Sequence, residues 1–253
     1  MLNLGQNVLI IAVTVIASLL FMAGLNRIWP GAERRTHNDL IGWQLSILGT
    51  TYAVILGFML YAVWTAFGEA ALNADLESNS VVNVYHLADG LPEPQRSQLR
   101  ALALSYAGGV INDDWPQMAG GQVPEKSIEI NRDMWRAAMS VRPASQAEQT
   151  AEDHVLSELI ALSQHRMTRL MQSTYRIPPV LWCVLLVGGV LTIISACMFG
   201  SESAKLHALQ VFSFSLLISL ALVAIFDIHR PFQGVIHVSD YAFRRAQQNM
   251  QVR

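Results

Sequence analysis

Four long apolar stretches dominate the pattern of hydrophobic and polar positions along this chain. They cover residues 8–28, 40–68, 177–199 and 206–228, and any Lys, Arg, Asp or Glu in them lies in the final turn. About 20 predominantly apolar residues are enough to cross a bilayer as a helix, so the pattern predicts four transmembrane helices. These helices form two hairpins, in residues 1–68 and 177–229.

The polar section between the hairpins, residues 69–176, keeps apolar positions at helical spacing. The second membrane helix is expected to continue to His86. Further helices are expected from Pro94 to the Asn112–Pro116 segment, over 128–139 and over 147–175, and Pro178 and Pro179 then break the chain before the third span. No strand pattern of useful length occurs. The sequence therefore predicts an all-α integral membrane protein with a helical region inserted between the second and third spans and a C-terminal tail over 230–253.

Composition agrees with a membrane protein, since 52% of the residues are apolar and only 14% are charged. The first apolar stretch lacks the basic start and the A-x-A-like cleavage site of a secretory signal peptide. The net charge is −2, and no basic stripe interleaves with aromatic residues, which argues against a nucleic-acid partner.

Positive charges near the ends of the spans indicate the orientation, because such residues favour the cytoplasmic side. An even number of spans places both termini and the region 69–176 on one side. That side carries Arg166, Arg169, Arg176, Arg230, Arg244 and Arg245 near the spans, and the other side carries Arg27, Arg34, Arg35 and Lys205. We therefore expect the termini and the helical region to be cytoplasmic.

Groupings that would carry enzyme chemistry are not evident in the sequence. It contains no phosphate-binding loop, no dinucleotide fingerprint and no H-E-x-x-H metal motif. Cys183 and Cys197 lie fourteen residues apart in one apolar stretch, too far apart on one helix to form a disulfide. The clusters Asp113–Asp114 and Glu152–His154 are typical of helix ends and solvated faces. The expectation is a protein that is not an enzyme and has no cofactor and no metal.

The second apolar stretch differs from a simple anchor because small and hydroxyl residues interrupt it. Gly49, Ala53 and Gly57 form a small-xxx-small row, which suits close helix packing. Two interpretations stay open: packing within one chain, or a pore built from several copies. The candidate pore-lining residues are Ser46, Thr50, Val54, Gly57, Phe58 and Tyr61. The valine and phenylalanine side chains of several copies would form apolar rings around such a pore and gate it by dewetting.

A second candidate element follows the last span. Asp227 and Arg230 are three residues apart and so share a helix face, Pro231 stops the helix, and Gly234 permits a turn. With Phe232, these residues form either a helix end or a structured element at a pore mouth.

The chain resembles the uncharacterised bacterial membrane proteins described as bestrophin-like. The resemblance extends over nearly the whole chain. It rests on the segments Ala53–Phe58 with Trp64 and Glu69, Leu91–Pro94, Asp114–Pro116, Pro178–Pro179, Asp227 with Arg230–Phe232 and Gly234, and Val238–Ser239 with Phe243. More distantly, the chain is similar to the bestrophins, which are homopentameric chloride channels with four spans and cytoplasmic termini.

This resemblance implies a neck formed by Thr50, Val54 and Phe58 of several copies. Phe58 matches the bestrophin pattern, whereas Val54 is smaller than the usual aromatic residue and Thr50 is polar where those channels are apolar, so the neck is expected to be wider and wetter. The acidic calcium-binding run of bestrophins is absent, since only Asp240 follows Gly234.

The hypothesis from the sequence is thus a homo-oligomeric, pentameric anion channel in a bacterial inner membrane. Its partners would be other copies of the chain, the lipid bilayer and the permeating ions. Arg166, Arg169 and Arg176 would attract anions to its cytoplasmic side. The alternative is a non-conducting membrane scaffold or sensor whose helical region binds a protein partner.

Overall fold

A computed structural model describes residues 3–251, and nearly all of these residues are helical. The α-helices are α1 (Leu4–Ile28), α2 (Gly31–Arg34), α3 (Asn38–Leu87), α4 (Gln95–Gly109), α5 (Trp115–Ala119), α6 (Lys126–Met139), α7 (Gln146–Thr174), α8 (Pro179–Met198), α9 (Ala204–Ile228) and α10 (Tyr241–Gln251). No β-strand occurs within residues 3–251. The predicted all-α class is confirmed.

Four helices are long and apolar enough to cross a membrane: α1, α8, α9 and the helical stretch that contains α3. They coincide with the four predicted stretches. The second is not confined to its apolar residues, because α3 continues without a break to Leu87 and contains 50 residues. At 1.5 Å per residue, α3 is about 75 Å long, more than twice the hydrocarbon thickness of a bilayer.

The chain divides into two compact units. The first unit combines the residues up to Thr65 with Arg176–His229, so it contains α1, the start of α3, α8 and α9. The second unit combines Ala66–Tyr175 with the residues from Arg230 onward, so it contains the rest of α3, α4–α7 and α10. In this division, the segment after the last span, from Arg230 onward, falls in the second unit.

In the first unit, α1 packs on α8 and α9. Helix α3 meets α8 through Tyr52, whose hydroxyl donates to the Leu185 carbonyl at 2.9 Å. Gly188 makes this approach possible, since a Cβ there would lie 2.6 Å from Cδ2 of Tyr52. At the start of α1, Asn7 Nδ2 donates to Asp227 Oδ2 of α9 at 2.5 Å. Small residues and interhelical hydrogen bonds of this kind are typical of membrane helices, because the hydrophobic effect does not drive helices together within the bilayer.

The second unit has the larger core. Side chains from α3, α4, α6, α7 and α10 are buried there together, and they include Val81, Leu99, Met134, Leu159 and Phe243. The sequence predicted that α4 would end in the Asn112–Pro116 segment, and this was wrong. A π-helical turn, Val110–Asp114, carries the chain directly into α5, where Pro116 lies in the first turn. Pro is tolerated there because the first N–H groups of a helix have no partner within the helix.

Candidate functional site

The candidate pore-lining residues of α3 share one exposed side of the helix. Ser46, Thr50, Val54, Gly57, Phe58 and Tyr61 are all exposed in the single chain. The exposed fraction is 71% for Phe58 and 69% for Tyr61, which is unusual for large aromatic side chains. The buried residues Ile41, Tyr52 and Val63 lie about half a turn away around the helix. We call the exposed side the α3 stripe.

The small residues of α3 are not explained by packing within the chain. A Cβ added at Gly49 or Gly57 would meet no atom of the described chain within 4 Å. Gly188 and Gly189 of α8, in contrast, are tightly covered by Tyr52. Two interpretations of the sequence were open. The first, close packing of α3 within one chain, is not supported by any contact at Gly49 or Gly57 among the described residues.

One hydroxyl group of the α3 stripe makes a hydrogen bond within its own helix. Ser46 donates its hydroxyl to the Gly42 carbonyl of its own helix at 2.8 Å. Its oxygen still offers lone pairs to water or to a cation. The middle of the stripe is apolar, since Val54 and Phe58 follow Thr50 at intervals of four residues. The stripe thus presents polar groups at one end and an apolar segment farther along.

The element after the last span is divided between the two units. Asp227 belongs to the first unit and accepts its hydrogen bond from Asn7, whereas Arg230 belongs to the second and its Nη1 lies 3.4 Å from Oε1 of Gln233. Pro231 accepts from the Val238 N–H at 2.7 Å. Gly234 has φ of +90°, a conformation that favours glycine in a turn.

Phe232 of this element is a core residue. It is 2% exposed and packs edge-on against Trp115, with ring centroids 5.4 Å apart. Trp115 in turn donates its Nε1–H to the Val238 carbonyl at 3.0 Å. Within the second unit, the segment from Pro231 to Val238 is thus fixed to the helical core by aromatic and backbone contacts.

A buried charged cluster in the second unit, formed by Glu77, Tyr106, Asp114 and Arg169, was not predicted from the sequence. Each of these side chains is fully buried. Arg169 donates from Nε and Nη2 to the two oxygens of Glu77, at 2.7 and 3.0 Å, and from Nη2 to Asp114 Oδ2 at 2.9 Å. The Tyr106 hydroxyl donates to Glu77 Oε1 at 2.6 Å. We call this group the Arg169 cluster.

The electrostatics of the Arg169 cluster hold Arg169 charged and Tyr106 neutral. Burial acts to lower the pKa of Arg169, but the charge of Glu77 and its hydrogen bonds outweigh it and raise that pKa. Burial, helped by the negative charge of Glu77, raises the pKa of the Tyr106 phenol well above its ordinary value. Both groups therefore keep one protonation state throughout the neutral range.

The position of Arg169 corrects one sequence expectation. Arg169 was expected, with Arg166 and Arg176, to attract anions from water, but it is fully buried and paired with two carboxyl groups. A signal for this burial exists in the sequence. Glu77 falls at the same helical phase as Ala70, Ala74 and Val81, so a charged residue interrupts an otherwise apolar face and needs a buried partner.

Among the described residues, no group of three or more His, Cys, Asp or Glu side chains is arranged to hold a metal ion. One open cleft of the second unit has a volume of about 430 Å³. It is lined by α3 and α7, and its polar lining includes Asn83, His86, His154 and Ser157.

Comparisons with known proteins place the chain in a family. The model of the Bestrophin-like domain matches residues 12–243, so the chain belongs to the Bestrophin-like family. This confirms the resemblance seen in the sequence, and with its four apolar helices the chain is a membrane protein.

Among solved structures, the chain is similar to a mutant of a bacterial bestrophin homolog from Klebsiella pneumoniae. The similarity covers 98% of this chain and 100% of the other, with a TM-score of 0.69 and 14% sequence identity. The two proteins thus share their fold. No curated protein matches the sequence.

Proposed function

We propose that this protein is an ion channel whose pore is lined by the α3 stripe of several copies. The observation that carries the proposal is the exposure of Phe58 and Tyr61 on the side of α3 opposite Tyr52, which packs on α8. Membership of the Bestrophin-like family supports the same function. A stripe with polar groups, no ionised side chain and an apolar segment suits a gated ion path better than an anchor does.

An oligomer is part of the proposal because one chain does not enclose a path. The α3 stripe points away from the residues with which α3 packs in its own chain, so other copies must supply the remaining walls. Closed rotational symmetry places the same helix of each copy around one axis. Five copies are favoured by the similarity to bestrophins.

The proposed neck consists of Thr50, Val54 and Phe58. Phe58 forms the strong apolar ring, and Thr50 makes the entrance wetter than an all-apolar neck. Anion, and specifically chloride, conduction follows from the similarity to bestrophins. In the proposed orientation the termini and the second unit lie in the cytoplasm of a bacterial cell, because the arginines near the spans are more numerous on that side.

Recording from purified protein in a planar bilayer tests this function. We expect an anion current, and we expect Phe58→Ala to raise it because a methyl group no longer excludes water from the neck. Phe21→Ala is the matched control, since Phe21 is an exposed aromatic residue of α1 rather than α3. If no current appears under any gradient and Phe58→Ala creates none, the channel function is wrong.

A non-conducting scaffold or sensor is the second candidate. The exposed apolar side chains Ile160, Met167 and Met171 of α7 favour it, because such side chains on a helix outside the spans suit a protein contact. A monomer or dimer in native mass spectrometry, together with the absence of current in planar bilayers, would support this candidate. Neither assembly encloses a central path with this helix.

A further inference from the structure

The chain passes between the two units three times. The first passage follows Thr65 within α3, the second follows Tyr175 just before α8, and the third follows His229 at the end of α9. A shift within the second unit reaches the spans through the backbone at these passages. Residues of the second unit that are tied to all three passages are therefore placed to act on the spans.

One set of buried contacts joins residues close to all three passages. Glu77 is the twelfth residue after the first passage, Arg169 lies six residues before the second, and Phe232 is the third residue after the third. Glu77 is bonded to Arg169, as described for the Arg169 cluster. Arg169 and Phe232 both lie against the Trp115 ring, with Arg169 Cζ 5.5 Å and the Phe232 ring centre 5.4 Å from its centroid.

Trp115 is the residue that these contacts have in common. It is 7% exposed, and besides Phe232 it packs on Phe243, with ring centroids 5.6 Å apart. Its Nε1–H donates to the Val238 carbonyl at 3.0 Å. We call Trp115, Phe232 and Phe243 the Trp115 group. Closely packed rings of this kind transmit a displacement, because no member moves without its neighbours.

A π-helical turn leads directly into Trp115. It covers Val110–Asp114, and its last residue accepts a hydrogen bond from Nη2 of Arg169 at 2.9 Å. Such turns are rare and occur frequently at functional sites. A change of register by one residue there would turn Trp115 by about 100° around the helix axis. The turn thus provides an element with two alternative registers, which coupling between distant positions requires.

We infer that the Trp115 group and the Arg169 cluster position the pore helix, so that the contacts of Trp115 hold the neck in its conducting state. This inference rests on the proposed channel function. An apolar neck excludes water unless its walls are held apart. Each wall is an α3 helix, which is bonded through Glu77 to Arg169, and Arg169 lies against Trp115. Trp115 is buried, so it acts on the pore through these residues.

Single-channel recording in a planar bilayer tests the inference with Trp115→Phe. This change keeps an aromatic ring but removes the hydrogen bond to Val238. We expect the open probability to fall about fivefold, the effect of one lost hydrogen bond on an equilibrium. The unit conductance and the anion-to-cation permeability ratio should stay at their wild-type values, because the side chains of the neck are unchanged. A merely structural role would lower the amount of folded protein and leave the open probability of each channel unchanged.

Trp135→Phe is the matched control. Trp135 lies in α6 of the same unit and also donates an indole hydrogen bond, from Nε1 to Ser163 Oγ at 3.1 Å, but it belongs to neither the Trp115 group nor the Arg169 cluster. Thermal unfolding should show similar losses of stability for the two variants, and only Trp115→Phe should change the open probability. An equal fall in Trp135→Phe overturns the inference, because general loosening of the second unit then explains both.

Phe232→Leu is the second variant, and it decides the question if Trp115→Phe does not fold. It removes the edge-on ring contact with Trp115 and should lower the open probability about threefold. The double variant should show less than the product of the two single effects, since both changes break one contact. An unchanged or raised open probability in the folded variants overturns the inference and leaves the channel function standing. A wild-type protein that carries no current overturns the channel function, and the inference with it.

Discussion

Arg169 is charged, fully buried and shared between the carboxyl groups of Glu77 and Asp114. A buried ion pair contributes little compared with an apolar pair of the same shape, but removing one partner leaves the other as an unpaired buried charge. The cluster thus makes the second unit sensitive to single substitutions at positions far apart in the sequence.

We expect Arg169→Met to destabilise the protein by about 3–5 kcal/mol, because Glu77 and Asp114 then remain buried without a cation. Thermal unfolding of the detergent-solubilised protein measures the change. Arg244→Met is the control: Arg244 is well exposed and pairs with Asp240 at 2.6 Å, so its loss should leave the unfolding temperature close to that of the wild type. Adding Glu77→Gln to Arg169→Met should restore part of the stability. Equal effects of Arg169→Met and Arg244→Met would contradict this account of the cluster.

At the scale of residues, the sequence was informative where a residue departs from its surroundings. Phe58, Gly57 and Thr50 stood out within an apolar stretch, and the structure places all three on one exposed side. The position of Glu77 on an apolar face indicated that a buried cation was needed, but not that Arg169 supplies it, because Arg169 is 92 residues away and only the tertiary fold brings the two together. A buried arginine and a solvated one have the same appearance in an amphipathic helix.

At the scale of elements, the contact between α3 and α8 depends on two glycines. The Tyr52 ring lies against Gly188, and its hydroxyl lies 2.9 Å from the position of a Cβ at Gly189. Close approach of this kind gives membrane helices their packing energy.

Gly188→Ala should therefore destabilise the protein by about 1–3 kcal/mol, since a methyl group would overlap the Tyr52 ring and push the two helices apart. Gly24→Ala in α1 is the matched control, because nothing in the described chain lies within 4 Å of a Cβ there. Thermal unfolding of both variants side by side gives the comparison. If both variants melt at the wild-type temperature, Tyr52 can move without loss and the contact is not a tight one.

Apolar length and helical spacing were sufficient to predict these elements. The four spans and the continuation of α3 into the polar region follow from the pattern, and the structure has both. The passage from α4 through the π-helical turn into α5 was not predicted. Asn, Asp and Pro usually end a helix, and the sequence does not show the backbone hydrogen bonds of a π-helical turn.

For the whole molecule, the decisive quantity is the number of copies. The α3 stripe leaves its largest aromatic side chains uncovered in one chain, so we expect native mass spectrometry of the detergent-solubilised protein to give an oligomer. The proposed similarity to bestrophins sets the expected number at five copies. Cross-linking in intact membranes provides a check that is independent of detergent. A monomer in both experiments would contradict the proposed pore. Neither the sequence nor a single chain contains the symmetry axis, which is why assembly is the property least accessible from residues alone.

The length of α3 also has a consequence for biosynthesis. One uninterrupted helix carries both a membrane stretch and Glu77, yet the cation that neutralises Glu77 is encoded 92 residues later. At about 5–20 residues per second, the ribosome needs roughly 5–18 s to reach Arg169 after Glu77. During that interval the apolar side of the later half of α3, with Ala70, Ala74 and Val81, has no α7 to cover it. The nascent chain is therefore most vulnerable to misassociation and proteolysis between synthesis of its second span and completion of α7, and a chaperone or insertase would have its greatest effect in that window.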